Sequence, residues 1–307
     1  MSINLDNIKE LIHNNKKVIQ IEDSNGRVLW KALKEAPNNI YFSSKASAYG
    51  AEGNYVLNKK TSTWGATSWI GFNNIAGDNI WTDGENIYYS EGSYQYILNK
   101  ETSTWEVKDW TGLTRFSGVF VCTDGDNIYY NSTNGDQYVL DKETSTWNPK
   151  TWTGLTNFSG QQIWTDGTNI YYSNQTAHYV LDKSTSSWII KDWTGLTNFL
   201  AFNIWTDGEN IYCSQGTTQY ILDKSTSTWN PKTWTGLTNF NGNSIWTDGT
   251  SIYYSNGTKN HYVLDKSTST WTSKTWSGLS KFSGFVMWDE NFILKILHCK
   301  IATKEQN

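Results

Sequence analysis

The chain has 307 residues, a net charge of -4, and two arginines against 18 tryptophans and 18 tyrosines. So few guanidinium groups and a slight acidic excess argue against nucleic acid as a partner. No stretch reaches the length of a membrane span and the amino terminus lacks the apolar core of a secretory signal, so neither membrane insertion nor Sec export is expected.

Residues 1–36 read as a small module of their own. Ile3, Leu5, Ile8, Leu11 and Ile12 suggest a short amphipathic helix. Val18–Ile21 and Val28–Trp30 then flank Asp23-Ser24-Asn25-Gly26 as a hairpin.

From there an internal repeat takes over. The string DKSTSTW recurs at Asp141–Trp147, Asp182–Trp188, Asp223–Trp229 and Asp265–Trp271, with looser copies at Asn58–Trp64 and Asn99–Trp105. A second marker, IWTDG, passes through Trp81, Cys122, Trp164, Trp205, Trp246 and Trp288, at spacings of 41, 42, 41, 41 and 42 residues. Each unit reads as four short strands, as in QQIWTDG, TNIYYS, AHYVLDK and SSWIIKDW. The Asp166-Gly167 pair predicts a tight hairpin between the first two, and the oxygen-bearing Asp182–Ser186 stretch a turn between the last two. Four antiparallel strands at this period are the grammar of a β-propeller blade.

The count starts on a second strand, at Ile40, and stops on a first strand, at Trp288. Joining the two closes six blades into a ring over residues 37–294 and removes the exposed edges of an open array. Residues 295–307 read as a tail. Burying one tryptophan contributes about 4 to 6 kcal/mol by area, so such a core needs neither disulfide nor metal. Cys122 and Cys213 stand where sister repeats carry Trp or Tyr, Cys299 lies in the tail, and no zinc spacing appears; no cofactor is expected.

YVLDKETSTW (Tyr138–Trp147), with NIYY before it, resembles the kelch repeat, whose third strand ends in an aspartate turn before a Trp-bearing fourth strand. That resemblance implies a six-bladed kelch-like propeller closed by a carboxy-terminal first strand. It departs where polar strings such as Ser173-Asn174-Gln175 replace the kelch double glycine. VIQIEDSNGRVLWK (Val18–Lys31) resembles amino-terminal segments of bacteriophage structural proteins, which implies attachment to other virion proteins through residues 1–36 and a virion location.

For a ligand, the loops between second and third strands vary most, and Tyr94, Asp136, Gln175, His178, Lys259 and His261 offer rings and hydrogen-bonding groups there. A second tryptophan follows the tryptophan of each DKSTSTW copy by five residues; Trp69, Trp110, Trp152, Trp193, Trp234 and Trp276 read either as an aromatic plate at the rim of the variable-loop face, suited to sugar stacking, or as plugs between blades. The repeated carboxylates, Asp83 through Asp289, read as turn residues, and no catalytic motif accompanies the four histidines. The sequence therefore points to a non-enzymatic phage adhesion protein whose propeller binds a host surface receptor, with glycan as ligand. An intracellular kelch-type interaction scaffold and a carbohydrate-active enzyme stand as alternatives.

Overall fold

The computed structural model describes residues 39–289, except 46–47, 49, 73, 84–85, 119–120, 124–126, 133–135, 156–162, 167–168, 197, 208, 238–239, 241 and 249, together with four strand backbones nearer the amino terminus. Contacts divide the chain into Met1–Ala36 and Pro37–Asn307. In the first unit, Leu11–His13 pairs with Lys16–Val18 and Gln20–Glu22 with Val28–Lys31. Leu11 and Ile12 therefore lie in a strand, not in the expected helix. The pairing of His13 with Lys16 commits this stretch to an antiparallel register, and cross-strand pairing prevails over helical periodicity. The rest of that helix falls outside the described residues, as do residues 290–307, which include the expected tail.

The second unit is a six-bladed propeller. Blade two runs Ile80–Thr82, Ile87–Glu91, Tyr94–Asn99 and Thr104–Val107, each strand antiparallel to the next. Blade three is built from Val121–Thr123, Ile128–Asn131, Gln137–Asp141 and Thr146–Pro149, and blade four from Ile163–Thr165, Ile170–Gln175, Ala177–Asp182 and Ser187–Ile190. Blades five and six repeat the pattern from Ile204 and Ile245. Blade one takes Ile40–Ser44, Gly53–Asn58 and Thr63–Ala66, and its first strand is Met287–Asp289 from the far end of the chain. The pairs Met287↔Phe42, Trp288↔Tyr41 and Asp289↔Ile40 close the ring.

Burial falls from the first two strands outward: Ile87–Glu91 is buried on both faces up to its last residue, whereas Thr104–Val107 buries only Trp105 fully. Both faces of the inner strands are covered because neighbouring blades pack on them. Five of the six wedges hold three tryptophans, and the one between blades three and four holds two, Trp152 and Trp188. Trp81 stacks on Tyr88 at 4.4 Å, meets Trp110 of its own blade at 5.8 Å and reaches Trp147 of the next blade at 5.9 Å. The first-strand indole also donates to a serine hydroxyl, as Trp81 does to Ser90 at 2.9 Å and Trp205 to Ser214 at 2.8 Å. The other indoles have ring neighbours; Trp110 meets Trp147 edge-on at 5.9 Å and 62°.

The repeated turns hold the blades to one another. The first loop spans four residues, not the expected two: Thr165 pairs with Ile170, and the Asp166 carboxylate accepts the Asn169 amide at 2.7 Å and the Tyr171 hydroxyl at 2.8 Å. A carboxylate able to close a four-residue loop on its own removes the need for a primed two-residue turn. In the DKST loop the last serine is left-handed, with φ of 53–55° at Ser62, Ser103, Ser145, Ser186, Ser227 and Ser269. Each such serine costs about 1 to 2 kcal/mol. Its geometry turns the carbonyl toward the preceding blade, where Thr153 N–H donates to Ser186 O at 3.1 Å and Trp188 N–H donates back to Thr153 O at 2.8 Å. Lys150 adds a bond to the Ser186 hydroxyl at 2.8 Å while its ammonium lies 5.0 Å from the Trp152 ring centre. Lys224 reaches across to the Asp166 carbonyl of the preceding blade at 2.7 Å. The near-constancy of DKSTSTW thus comes from inter-blade bonding.

Linkers need glycine where they meet the next blade. Gly195 has φ +80°, and a Cβ there would stand 2.0 Å from the Trp229 carbonyl oxygen. These linkers are not confined to the face of the variable loops. They start against the DKST turn of the next blade and only then cross to the variable loop of their own, where Phe116 N–H donates to Gly92 O at 3.1 Å.

Candidate functional site

The variable loops differ in length from blade to blade. Glu91↔Tyr94 and Gln215↔Thr218 leave two residues between strands, Asn131↔Gln137 and Ser255↔His261 leave five, and Ser44↔Gly53 leaves the longest. Against this background one place carries a concentration of chemistry. Phe72, where every other linker has leucine, stacks on Tyr96 at 4.5 Å and 13°, and on Tyr94 at 6.1 Å and 24°. Tyr94 is 55% exposed, the most exposed aromatic ring among the described residues. Tyr89 abuts Phe72 at 5.1 Å.

Beside this aromatic shelf lies an ion-paired group. Lys45, in the long loop of blade one, donates to the Glu91 carboxylate at the end of the second strand of blade two, and the Tyr89 hydroxyl donates to the same oxygen. The Lys45 ammonium also sits 5.5 Å from the Tyr89 ring centre. Burial, then the hydrogen bond and negative charge of Glu91, hold the Tyr89 phenol protonated far above its ordinary range. Burial alone would raise the Glu91 carboxyl, but the bonds from Lys45 and Tyr89 outweigh it and hold the group below its usual value. A fixed carboxylate, a fixed ammonium and an open tyrosine face are groups able to bind hydroxyls and an apolar CH surface together.

The structure disperses most of the residues singled out in the sequence. Tyr94 belongs to the shelf. Asp136, Gln175 and Lys259 are exposed on the loops of blades three, four and six. Gln175 has φ +52°, the conformation that Gly92 and Gly216 adopt at the same point of their loops. His178 and His261 are not surface groups. His261 is 2% exposed, stacks on Phe282 at 4.5 Å and places Nε2 2.8 Å from the Ser280 carbonyl; His178 stacks on Phe199 at 4.5 Å. They occupy the repeat position of Gln95 and Gln219, whose amides bond nearby backbone carbonyls, so both histidines brace the linker that passes over them.

Trp110, Trp152, Trp193, Trp234 and Trp276 are 5–8% exposed and form no rim plate. They plug the wedges because blade twist carries the end of each outer strand over the start of the next, as the parallel bridges Thr111↔Thr146 and Thr194↔Thr228 record. The repeated aspartates are the turn groups they resembled: Asp83, Asp166, Asp207 and Asp248 each accept a tyrosine hydroxyl. Among the described residues no cluster of three His, Cys, Asp or Glu side chains is placed to hold a metal, and no helix is long and apolar enough to cross a membrane.

Lys45, Phe72, Tyr89, Glu91 and Tyr96 were missed in the sequence. The available signal was departure from the repeat: Phe72 replaces a leucine, and Glu91 stands where sister blades have Ser, Asn or Gln. No protein-family model matches the chain, and no curated protein matches it.

Proposed function

We propose that this chain is a non-enzymatic adhesion protein, a kelch-like propeller that binds saccharide on a host cell surface at the shelf formed by Tyr94, Phe72 and Tyr96 beside Lys45 and Glu91. The observation that carries the reading is Tyr94, a 55% exposed ring stacked on two others at the edge of a fixed ion pair. A pyranose offers one apolar face to such a ring and hydroxyls to the charged groups. A non-catalytic role is supported by Asp83, Asp166, Asp207 and Asp248, four of the repeated carboxylates, each bonded to a tyrosine of its own turn.

In the same proposal, residues 1–36 attach the ring to other virion proteins of a bacteriophage. Support comes from the Val18–Lys31 string and from the separation of Met1–Ala36 as its own unit. Several copies on one particle would raise a weak single-site affinity by avidity. The alternative of an intracellular protein-interaction scaffold has one observation in its favour: Ile189 and Ile190, 51% and 72% exposed on the outer strand of blade four.

The test is a glycan array with the full chain, followed by titration of the best saccharide against Tyr94→Ala. Loss of one aromatic stacking partner costs about 0.5 to 1.5 kcal/mol beyond its area, so affinity falls about fivefold or more with the melting temperature unchanged. An array blank for every saccharide, or a Tyr94→Ala variant that binds as tightly as the parent, refutes the assignment.

A further inference from the structure

Residues 276–286 carry the chain from blade six to Met287–Asp289, the strand that closes the ring on blade one. At the other five junctions the linker leads into a blade whose four strands follow one another along the chain. Here it leads into a single strand that belongs to its blade by pairing alone, so whatever holds this linker also holds the seam of the ring.

Hydrogen bonds from both sides pin it. The Gly257 N–H of the blade-six loop donates to Phe282 O at 2.8 Å, the Ala51 N–H of the long blade-one loop donates to Lys281 O at 2.8 Å, and His261 Nε2 lies 2.8 Å from Ser280 O. Gly50 pairs with Phe282, and a Cβ on Gly50 would stand 2.1 Å from Lys281 O, so loop and linker are in close contact. The Phe282 ring is the hub. It stacks on His261 at 4.5 Å and 15°, and meets Phe42 and Trp64 of blade one at 5.8 and 5.2 Å and Trp246 at 6.3 Å.

A carbonyl oxygen only accepts, so Nε2 carries the imidazole proton and a second proton has to enter at Nδ1. That atom is buried and has no hydrogen-bond partner. The charged groups on the surrounding elements offer no relief: Lys259 on the loop, Lys274 opposite His261 in the fourth strand and Lys281 in the linker are cations, and Glu52 in the long loop is exposed. The other titratable side chains on the adjoining strands, Tyr55, Tyr253, Tyr254 and Tyr262, are phenols. Burial accordingly lowers the His261 pKa, against the opposing pull of the Ser280 carbonyl. At the same repeat position Gln95 and Gln219 hold backbone carbonyls through amides, which do not titrate.

We infer that His261 is an acid-released clasp at the seam of the ring: the neutral imidazole pins the linker to blade six, and the protonated one leaves its place to hydrate Nδ1, loosening the closing strand and the junction of blades six and one. A buried cationic N–H without an acceptor is the state the closed seam does not accommodate. The clasp stands apart from the Tyr94 shelf and does not depend on any ligand there.

The test is hydrogen exchange on the full chain from pH 7.5 to 5, with each amide expressed as protection against its intrinsic rate at that pH. Gly257 and Ala51, whose acceptors are linker carbonyls, lose about fivefold or more of their protection, as expected when only the open form takes up the proton near pH 6.5. Phe116, bonded to Gly92 O beside Gln95, keeps its protection. His261→Gln, which installs the residue of sister blades, removes the loss; His178→Gln, at the like-placed histidine of blade four, leaves it. If the glutamine variant does not fold, His261→Asn, with the residue of blade one, takes its place. Unchanged protection at Gly257 and Ala51 in the parent overturns the inference, and so does a loss that persists in the folded His261 variant.

Discussion

Replacing Trp288 with alanine tests whether the two chain ends hold the ring shut. Trp288 is fully buried, stacks on Tyr41 at 4.5 Å, approaches Trp69 at 5.2 Å and Trp105 at 6.1 Å, and donates its N–H to Ser43 at 2.9 Å. Trp205 is its internal control: 4.4 Å from Tyr212, 5.6 Å from Trp234, 6.1 Å from Trp271 and 2.8 Å from Ser214. Local burial is therefore the same, and each truncation costs about 3 to 5 kcal/mol. The difference is topological. Trp205 lies on a strand continuous with its own blade, whereas Met287–Asp289 reaches blade one only through its pairing with Ile40–Ser44. Denaturant titration should give similar losses for both variants, but hydrogen exchange should separate them. In Trp288→Ala, protection at Ile40–Ser44 is lost at lower denaturant than at Ile211–Gln215; in Trp205→Ala it is not. A loss below about 1 kcal/mol for Trp288→Ala, or equal protection of the two strands, would refute closure through that ring.

Two further outcomes follow from the linker and loop geometry. Burial lowers the His261 pKa below its ordinary 6.5, so above that value the ring is neutral folded or unfolded, and as pH falls through 6.5 only the unfolded chain takes up the proton. Stability is thus lost on acidification, no more steeply than about 1.4 kcal/mol per pH unit, until the folded pKa is passed. His261→Gln, the residue of sister blades, should flatten that part of a melting-temperature curve taken from pH 7.5 to 5; an unchanged slope excludes His261 as its source. Glycine substitutions should divide by surroundings. Gly216→Ala, at φ +57° with open space around it, costs about 1 to 2 kcal/mol for the left-handed backbone alone. Gly195→Ala also drives a Cβ into the Trp229 carbonyl and strips the Thr194 bonds to Ser227 and Trp229, adding about 2 kcal/mol. Equal losses in denaturant titration would show that the linker contact is unimportant.

The ring was legible because a repeat states its own period. Six copies of DKSTSTW and of IWTDG set the blade count, and a repeat array that begins on a second strand and ends on a first has one way to bury both edges. The tightness of the first loop was misread because Asp-Gly is a strong hairpin pair, yet the Asp166 carboxylate reaches the Asn169 amide and closes a longer turn. The histidines were misread for a different reason. Position in a variable loop suggested a ligand group, but alignment with Gln95 and Gln219 places them over a linker whose carbonyls need a donor.

Sequence alone determined the strand content, the number of blades and the strand that closes them, because alternation and period are local properties repeated along the chain. Only the tertiary structure decided which rings are open. Trp110 and Tyr94 were both candidates for an open ring, but blade twist buries the first beneath the next outer strand and leaves the second on a loop. It also decided where the shelf lies, since Lys45, Phe72, Glu91 and Tyr94 come from two blades and a linker, and only ring closure fixes the angle at which neighbouring blades bring such residues together.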